Sequence, residues 1–253
     1  MSNFKERTVV ITGAAQGIGY GIAEAFVKNG DFVAICDINI EAANHAAEKL
    51  ENAKSYQVDV SNEESVKNFV DELVKERGSI DVVVNNAGIQ HVDKVEDFPV
   101  DKWRLVIDIM LTGPFLMIKH TLPYMKGQSY GRIINVSSVH GKMASPFKSA
   151  YISAKHGVVG LTRTVALETA ELGITCNTIM PGPVRTELIE NQVAKLAEVD
   201  GISNQEVLDK HFLDKQPMKR LLEPSEIGAV AVFLASEGAA AITGDAMSVS
   251  GGI

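Results

Sequence analysis

The stretch VVITGAAQGIG, residues 9–19, decides the fold because it joins an apolar, β-branched run directly to a helical pattern. Its glycines, Gly13, Gly17 and Gly19, leave room for the phosphates of a dinucleotide to approach the backbone, with Gln16 and Ile18 between them. A following helix would present its first N–H groups to that anion. A tight turn that permits close helix packing is the alternative. The position of the stretch between strand and helix favours the dinucleotide site.

The rest of the chain repeats this alternation of strand and helix. Short apolar runs typical of strands lie at 7–12, 32–36, 55–58, 81–85, 132–137, 174–179 and 246–250. Helical patterns lie near 17–29, 40–52, 62–77, 102–125 and 151–172. Nearly continuous apolar strands that alternate with helices predict a parallel sheet covered on both faces. We therefore predict a single α/β domain over 1–253, with a Rossmann-type, doubly wound sheet.

Composition and charge narrow the function classes. The 253 residues carry a net charge of −8, which disfavours nucleic acid and anionic membranes as partners. No apolar run has the length of a membrane span, and no stretch of signal-peptide length precedes Gly13. Cys36 and Cys176 both lie in apolar runs and predict two buried thiols rather than a disulfide. These features predict a cytoplasmic protein.

One segment, 185–222, departs from the alternation, because it is polar and helical and contains no strand pattern. Such an excursion is either an active-site lid or a packing arm. We favour a lid, since the segment directly follows the end of a strand, where ligands bind in this architecture.

Two acidic residues follow the second and third strands. Asp37 can accept hydrogen bonds from the adenosine ribose hydroxyls and would repel a 2′-phosphate, and no Arg lies close by in the sequence. NAD is therefore favoured over NADP as cofactor, although Asp37 is also placed to cap the next helix. Asp59, beside Val60, could reach the adenine edge or cap the helix that follows it.

Four motifs occur in a fixed order: TGAAQGIG (12–19), NNAG (85–88), Ser138 and YISAK (151–155). Over nearly the whole chain, including Pro181–Gly182, they resemble the classical short-chain dehydrogenases/reductases. A narrower resemblance to bacterial D-3-hydroxybutyrate dehydrogenases rests on GIQHV (88–92), His140–Gly141, ASPFKSAY (144–151), AKHGVVGLT (154–162) and QPMKR (216–220). That resemblance implies interconversion of (R)-3-hydroxybutyrate and acetoacetate with NAD, usually in a homotetramer packed through helices near 102–125 and 151–172.

The spacing of Tyr151 and Lys155 places both on one helical face. A tyrosine that acts as a base near pH 7 needs its pKa lowered by about three, or roughly 4 kcal/mol. One ammonium at about 4 Å, at an effective dielectric constant near 20, supplies about that much. We therefore predict that Tyr151 removes a hydroxyl proton while hydride leaves the same carbon, with Ser138 donating to the reacting oxygen. A surface i,i+4 contact beside a chance serine is the structural alternative.

The resemblance also assigns the remaining cofactor residues. Lys155 would hold the nicotinamide ribose, and Asn86, Ala87 and Gly88 would contact the adenosine ribose or stabilise the central strand. Thr186 resembles the residue that binds the nicotinamide carboxamide, and it could also cap a helix. The predicted cofactor set is Gly13, Gln16, Gly17, Ile18, Gly19, Asp37, Asp59, Val60, Asn86, Ala87, Gly88, Tyr151, Lys155, Pro181, Gly182, Val184 and Thr186.

A small hydroxy or keto acid must be bound largely through its carboxylate, which needs a cation and several donors. By resemblance, Gln90, His140, Lys148 and Gln192 form that clamp, beside Ser138 and Tyr151. Alternatively, Lys148 is a solvated loop lysine and His140 a packing residue. Lys142 has no motif and is predicted to be solvated. The other histidines show no metal-ligand spacing, so we predict no catalytic metal.

Two positions depart from the family. Met110 stands where the family usually has an Asn that helps to link Lys155 to solvent, and our hypothesis is that the backbone carbonyl of residue 110 serves instead. Related enzymes often carry a Trp after the final glycine pair, where this chain has Ile253. That difference leaves open whether the C-terminal residues contribute to a neighbouring subunit's pocket.

Two further functions stay open on the sequence alone. The first is a short-chain reductase of another substrate, a 3-oxoacyl thioester or a sugar, for which a carboxylate clamp has no role. The second is an NAD-binding sensor that has lost catalysis, which only Met110 favours.

Overall fold

A computed structural model describes residues 6–253, and its centre is a parallel β-sheet. The strands are β1 (Thr8–Thr12), β2 (Phe32–Asp37), β3 (Ala53–Gln57), β4 (Val82–Asn85), β5 (Gly131–Val136), β6 (Ile174–Pro181) and β7 (Ala246–Val249). Their order in the sheet is β3-β2-β1-β4-β5-β6-β7, and every neighbouring pair is parallel. The order reverses between β1 and β4, which creates the crevice where ligands bind in such folds. The predicted fold class is confirmed.

Apolar residues on both faces of the central strands explain this arrangement. Each residue of β1, β4 and β5 is buried, as expected for strands covered by helices on both sides. Cys36 on β2 and Cys176 on β6 are buried free thiols, which confirms that prediction.

Two helical layers cover the sheet. The helices are α1 (Gly17–Lys28), α2 (Ile40–Glu48), α3 (Glu63–Arg77), α4 (Val100–Ile107), α5 (Gly113–Gln128), α6 (Ser149–Thr169), α7 (Glu187–Asp200), α8 (Asn204–Val207) and α9 (Pro224–Leu234). On one face, Ile22 and Phe26 of α1 and Ile227 of α9 join one apolar cluster. On the other face, Phe69 of α3 and Met117 of α5 join a second cluster.

The helix predicted at 102–125 is a continuous helical segment from Val100 to Gln128 with a wider turn inside it. Asp108–Thr112 forms a π-helical turn between α4 and α5. By length and composition the segment could span a membrane. Here it is a core helix, because Met117 and Met125 are fully buried in the cluster against the sheet.

The polar segment 185–222, which follows β6, begins and ends at the same point of the fold. It contains α7, α8 and a π-helical turn at Leu208–Leu213. Val184 and Leu222 form an isolated parallel bridge, in which the Leu222 N–H donates to the Pro183 carbonyl at 2.9 Å. The segment therefore extends from the carboxyl edge of the sheet, where the predicted site lies.

Candidate active site

The first turn of α1 is the anchor expected for an anion. Its N-cap residue, Gln16, makes no capping hydrogen bond, and no acidic residue lies in the first turn. In contrast, Asn39 and Asn62 cap α2 and α3, and both helices have acidic residues in their first turn. The N–H groups at the start of α1 are therefore available to an outside acceptor, and negative charge is favoured there.

The glycines of this turn have different roles. A Cβ on Gly13 would lie 2.8 Å from the Ala87 Cα, and a Cβ on Gly19 would overlap the Gly13 carbonyl oxygen. These two contacts are the tight packing that the sequence analysis considered as the alternative to a dinucleotide site. Gly17, with φ of 58°, would place a Cβ no closer than 3.4 Å to Thr186, so its side faces the cleft.

The NNAG segment is tied to the glycine turn. Thr12 Oγ1 accepts hydrogen bonds from the backbone N–H groups of Asn86 at 3.0 Å and Ala87 at 3.1 Å. The Asn86 amide donates to the carbonyls of Thr12 and Gly13, both at 3.0 Å. Asn86 thus stabilises the central strands, one of the two roles considered for it. Thr12 was not identified as a site residue, although it lies within the quoted motif.

The two acidic residues do not cap helices, so those alternatives were wrong: Asn39 and Asn62 take that position. Asp37 accepts from the Asn39 N–H at 3.1 Å and, with its other oxygen, from the Ala15 N–H at 3.4 Å. Asp59 instead accepts from the backbone and hydroxyl of Ser61. Both side chains lie on the cleft.

A cavity of about 360 Å³ continues from the glycine turn along the carboxyl edge of the sheet. Its walls include Gly13, Gln16, Gly17, Ile18, Asp37, Ile38, Asp59, Val60, Asn86, Ala87, Gly88 and Thr186. Gly19 packs behind this surface. The lining contains carboxylates but no Arg or Lys among the residues described. The uncapped helix and the long cleft fit a dinucleotide. Because the described lining has no Arg or Lys, it fits a dinucleotide without a 2′-phosphate.

The cleft opens into a smaller cavity of about 180 Å³ lined by Ser138, Tyr151 and Lys155. Pro181, Gly182, Val184 and Thr186 form the opposite wall. Ser138 follows β5, and the other two side chains come from the first turns of α6. The Lys155 ammonium donates to the Val136 carbonyl at 2.7 Å and lies 5.6 Å from the centre of the Tyr151 ring. The structure thus brings the predicted catalytic residues together.

Electrostatics differ from the sequence-based expectation. Burial raises the pKa of Tyr151, and a hydrogen bond with Ser138 opposes that effect. Burial also lowers the pKa of Lys155 to about 8. The argument from nearby charges was therefore incomplete, because it omitted the cost of burying both groups. Protein groups alone keep Tyr151 protonated near neutral pH.

Met110 lies beside this site at the centre of the π-helical turn. Its side chain is buried with Val106, Ala150 and Ala154. The Gly113 N–H bonds to the Asp108 carbonyl, five residues earlier. The irregular helix is therefore present although no Asn occupies position 110.

A third cavity, of about 300 Å³, adjoins Ser138 and Tyr151 on the other side. It collects every predicted substrate residue, namely Gln90, Ser138, His140, Lys148, Tyr151 and Gln192. Gln192 and Ile189 come from α7, so the excursion forms one wall. Thr186 caps α7 by accepting from the Ile189 N–H at 3.4 Å, which confirms the capping expectation, and it also lines the cofactor cleft.

Two lysines of this region behave differently. Lys148 is partly buried, and this burial lowers its pKa. It forms no ion pair with a described residue. Lys142 is exposed but not simply solvated, as had been expected. Its ammonium donates to the Ser248 hydroxyl at 3.0 Å and the Ile253 carbonyl at 2.9 Å, which connects the turn after β5 to β7 and to the residues that follow it.

His140 lies between two serines. Its Nδ1 is 3.3 Å from Ser138 Oγ, and its Nε2 is 2.9 Å from Ser145 Oγ. Burial, with Lys148 and His156 nearby, lowers the pKa of His140 to about 4. The imidazole is therefore neutral at physiological pH.

Sequence reasoning missed several cavity residues. Ser145, Lys210, Lys215 and Ile253 line the third cavity. Only Ser145 carried a signal, since it lies inside ASPFKSAY. Among residues 6–253 no group of three or more His, Cys, Asp or Glu side chains could hold a metal ion.

Comparison with known proteins places these features in context. The family model described as enoyl-(acyl carrier protein) reductase matches residues 13–253. An uncharacterized oxidoreductase of Bacillus subtilis, YxjF, is 44% identical over 252 residues, covering 98% of both chains. The D-beta-hydroxybutyrate dehydrogenase of Rhizobium meliloti is 40% identical over 97% of this chain and 98% of its own.

A relative with another substrate also aligns over nearly the full length. The 3-oxoacyl-[acyl-carrier-protein] reductase FabG of Vibrio harveyi is 35% identical over 99% of this chain and 98% of its own.

Proposed function

Since this chain belongs to the short-chain dehydrogenase/reductase family, we propose that it is an NAD-dependent oxidoreductase that interconverts (R)-3-hydroxybutyrate and acetoacetate. The observation that carries the proposal is Lys148, a partly buried cation beside Ser138 and Tyr151 that makes no ion pair with a described residue. A substrate carboxylate would supply the missing partner. Gln90 and Gln192 offer amide donors in the same cavity.

The chain's own residues act on the hydroxyl group. Ser138 donates to the reacting oxygen, and Tyr151 takes the hydroxyl proton as the carbon loses a hydride. When bound, the oxidised nicotinamide accepts that hydride and adds positive charge near Tyr151. Lys155 favours the tyrosinate through its own charge and holds the nicotinamide ribose. Oxidation should become faster as pH rises toward the pKa of Tyr151, since the base must be deprotonated.

NAD is proposed rather than NADP because of Asp37. Its carboxylate, oriented by two backbone N–H groups, is suited to ribose hydroxyls and would repel a 2′-phosphate. The absence of Arg and Lys from the described lining supports this choice. Residues 185–222 are proposed as the substrate lid, since Gln192 lies on them.

We propose a cytoplasmic homotetramer. The two free buried thiols suit a reducing compartment. Exposed apolar side chains of Val100 and Trp103 on α4, Phe115 on α5 and Leu167 on α6 support contacts between copies at those helices. Light scattering after size-exclusion chromatography should give the mass of four chains.

The test is NADH formation when (R)-3-hydroxybutyrate is added to the purified protein with NAD. Wild type should produce NADH, and Tyr151→Phe should be about 10²–10⁴-fold slower. Turnover of a 3-oxoacyl thioester or a sugar, with none of the acid, would select the other reductase. Cofactor binding without turnover of any hydroxy compound would select the sensor.

A further inference from the structure

Both ring nitrogens of His140 face serine hydroxyls. Nδ1 faces Ser138 Oγ and Nε2 faces Ser145 Oγ, both within hydrogen-bonding distance. The groups around the ring are Lys148, His156 and the edge of the Tyr151 ring, whose centre is 5.9 Å away. With no carboxylate among them, the ring is neutral and carries a single N–H.

The position of this single ring hydrogen determines what the Ser138 hydroxyl can donate to. Ser138 Oγ already accepts from the His140 backbone N–H at 3.2 Å. If Nδ1–H also donates to it, both lone pairs are used, and the serine proton is directed away from the histidine. Burial raises the pKa of Tyr151, and a hydrogen bond from Ser138 lowers it. If Nδ1 instead accepts, Ser138 donates its only hydroxyl proton to the histidine and has none to donate to the reacting oxygen.

Ser145 completes the first of these arrangements. A serine hydroxyl can donate or accept, and when it donates to Nε2 the imidazole proton must lie on Nδ1, because a neutral imidazole has one N–H and one acceptor. The series then runs from Ser145 O–H to Nε2, from Nδ1–H to Ser138 Oγ, and from Ser138 O–H to the reacting oxygen. Every donor in it has an acceptor.

We propose that Ser145 is a positioning residue that acts through His140 to direct the Ser138 proton to the reacting oxygen. This proposal rests on the oxidoreductase function proposed above and deepens it. It gives His140 a role in turnover.

The kinetic test separates this role from carboxylate binding. Ser145→Ala should lower kcat about tenfold, the effect of losing one hydrogen bond in the transition state. KM for (R)-3-hydroxybutyrate should stay within about twofold. The kcat/KM–pH profile, which reports the free enzyme, should shift to alkaline pH because the Ser138–Tyr151 hydrogen bond is weakened. Ser145→Thr keeps the hydroxyl and should restore both. A rise in KM at constant kcat, or no change, would overturn the proposal.

Ser149→Ala is the matched control. Ser149 lies four residues further along, and its buried hydroxyl has no hydrogen-bond partner among the described residues. Its removal should leave kcat and the pH profile unchanged. Circular dichroism of each variant would show that it is folded.

A second readout needs no substrate. Nitrogen NMR of ¹⁵N-histidine-labelled protein, assigned with His140→Gln, should show the Nδ1–H tautomer of His140 at pH 7 and a mixture in Ser145→Ala. An Nε2–H tautomer in wild type would refute the series even if the enzyme is active. An inactive wild type with the Nδ1–H tautomer would refute the proposed substrate and keep the series.

Discussion

The cofactor cleft and the substrate cavity meet at Ser138 and Tyr151, yet they are built from different parts of the chain. The cleft is shaped by backbone: Gly13 packs on Ala87, and Thr12 holds the N–H groups of the NNAG segment. The cavity is shaped by side chains from a loop and from α7. Backbone packing tolerates little change, whereas side chains can be exchanged one at a time. We therefore expect the cleft to determine stability and the cavity to determine specificity.

The largest expected effect is that of Lys155, close to where the cleft and the cavity meet, on the free energy of unfolding. Below pH 8, Lys155 is charged in both the folded and the unfolded chain, and its burial opposes folding. Between its folded pKa of about 8 and its ordinary value, only the unfolded chain keeps the proton. The stability of wild type should therefore rise with pH relative to Lys155→Met, by about 3 kcal/mol over the whole window.

Urea unfolding of both proteins from pH 7 to 11 measures this difference. Lys67→Met, at an exposed position of α3, is the control and should give a constant difference from wild type. A constant difference for Lys155→Met would show that the lysine is hydrated in the folded protein.

The next prediction concerns the cleft itself. Gly19→Ala should lower the free energy of unfolding by about 2 kcal/mol, because its Cβ would overlap the Gly13 carbonyl oxygen. Gly160→Ala in α6 is the matched control, since nothing lies within 4 Å of that Cβ. It should stabilise the protein by up to about 1 kcal/mol through helix propensity. Equal effects in thermal unfolding would contradict a backbone-packed cleft.

A third prediction concerns the cavity. Lys148→Gln should raise KM for (R)-3-hydroxybutyrate about tenfold and leave KM for a neutral hydroxy analogue unchanged, because only the acid needs the cation. Lys210→Gln lines the same cavity at an exposed position and should change KM less than about twofold, since solvent screens its charge. If both substrates respond equally to Lys148→Gln, Lys148 does not hold the carboxylate.

The same difference explains what could be read from the sequence. The sheet and its carboxyl edge followed from periodicity, which encodes backbone geometry. The meeting of Ser138, Tyr151 and Lys155 followed from ordered motifs and the family resemblance that they carry. The roles of Lys142 and Ser145 did not, because they depend on which side chains neighbouring loops bring within 3 Å. The burial of Tyr151 was not anticipated for a related reason: spacing reveals a nearby charge but not the extent of burial.

The smallest expected effect is at Met110. The family's usual Asn is associated with an irregular helix, yet here the π-helical turn forms around a methionine, with the Gly113 N–H bonded to the Asp108 carbonyl. Since backbone supplies that irregularity, we expect the carbonyl of residue 110 to serve the link from Lys155 to solvent. Met110→Asn should therefore change kcat less than about threefold across the pH–rate profile. It should also lower stability by about 1–2 kcal/mol, because an amide would enter the apolar cluster of Val106, Ala150 and Ala154. A tenfold gain in kcat would show that the proton path needs the asparagine side chain and that the methionine limits this enzyme.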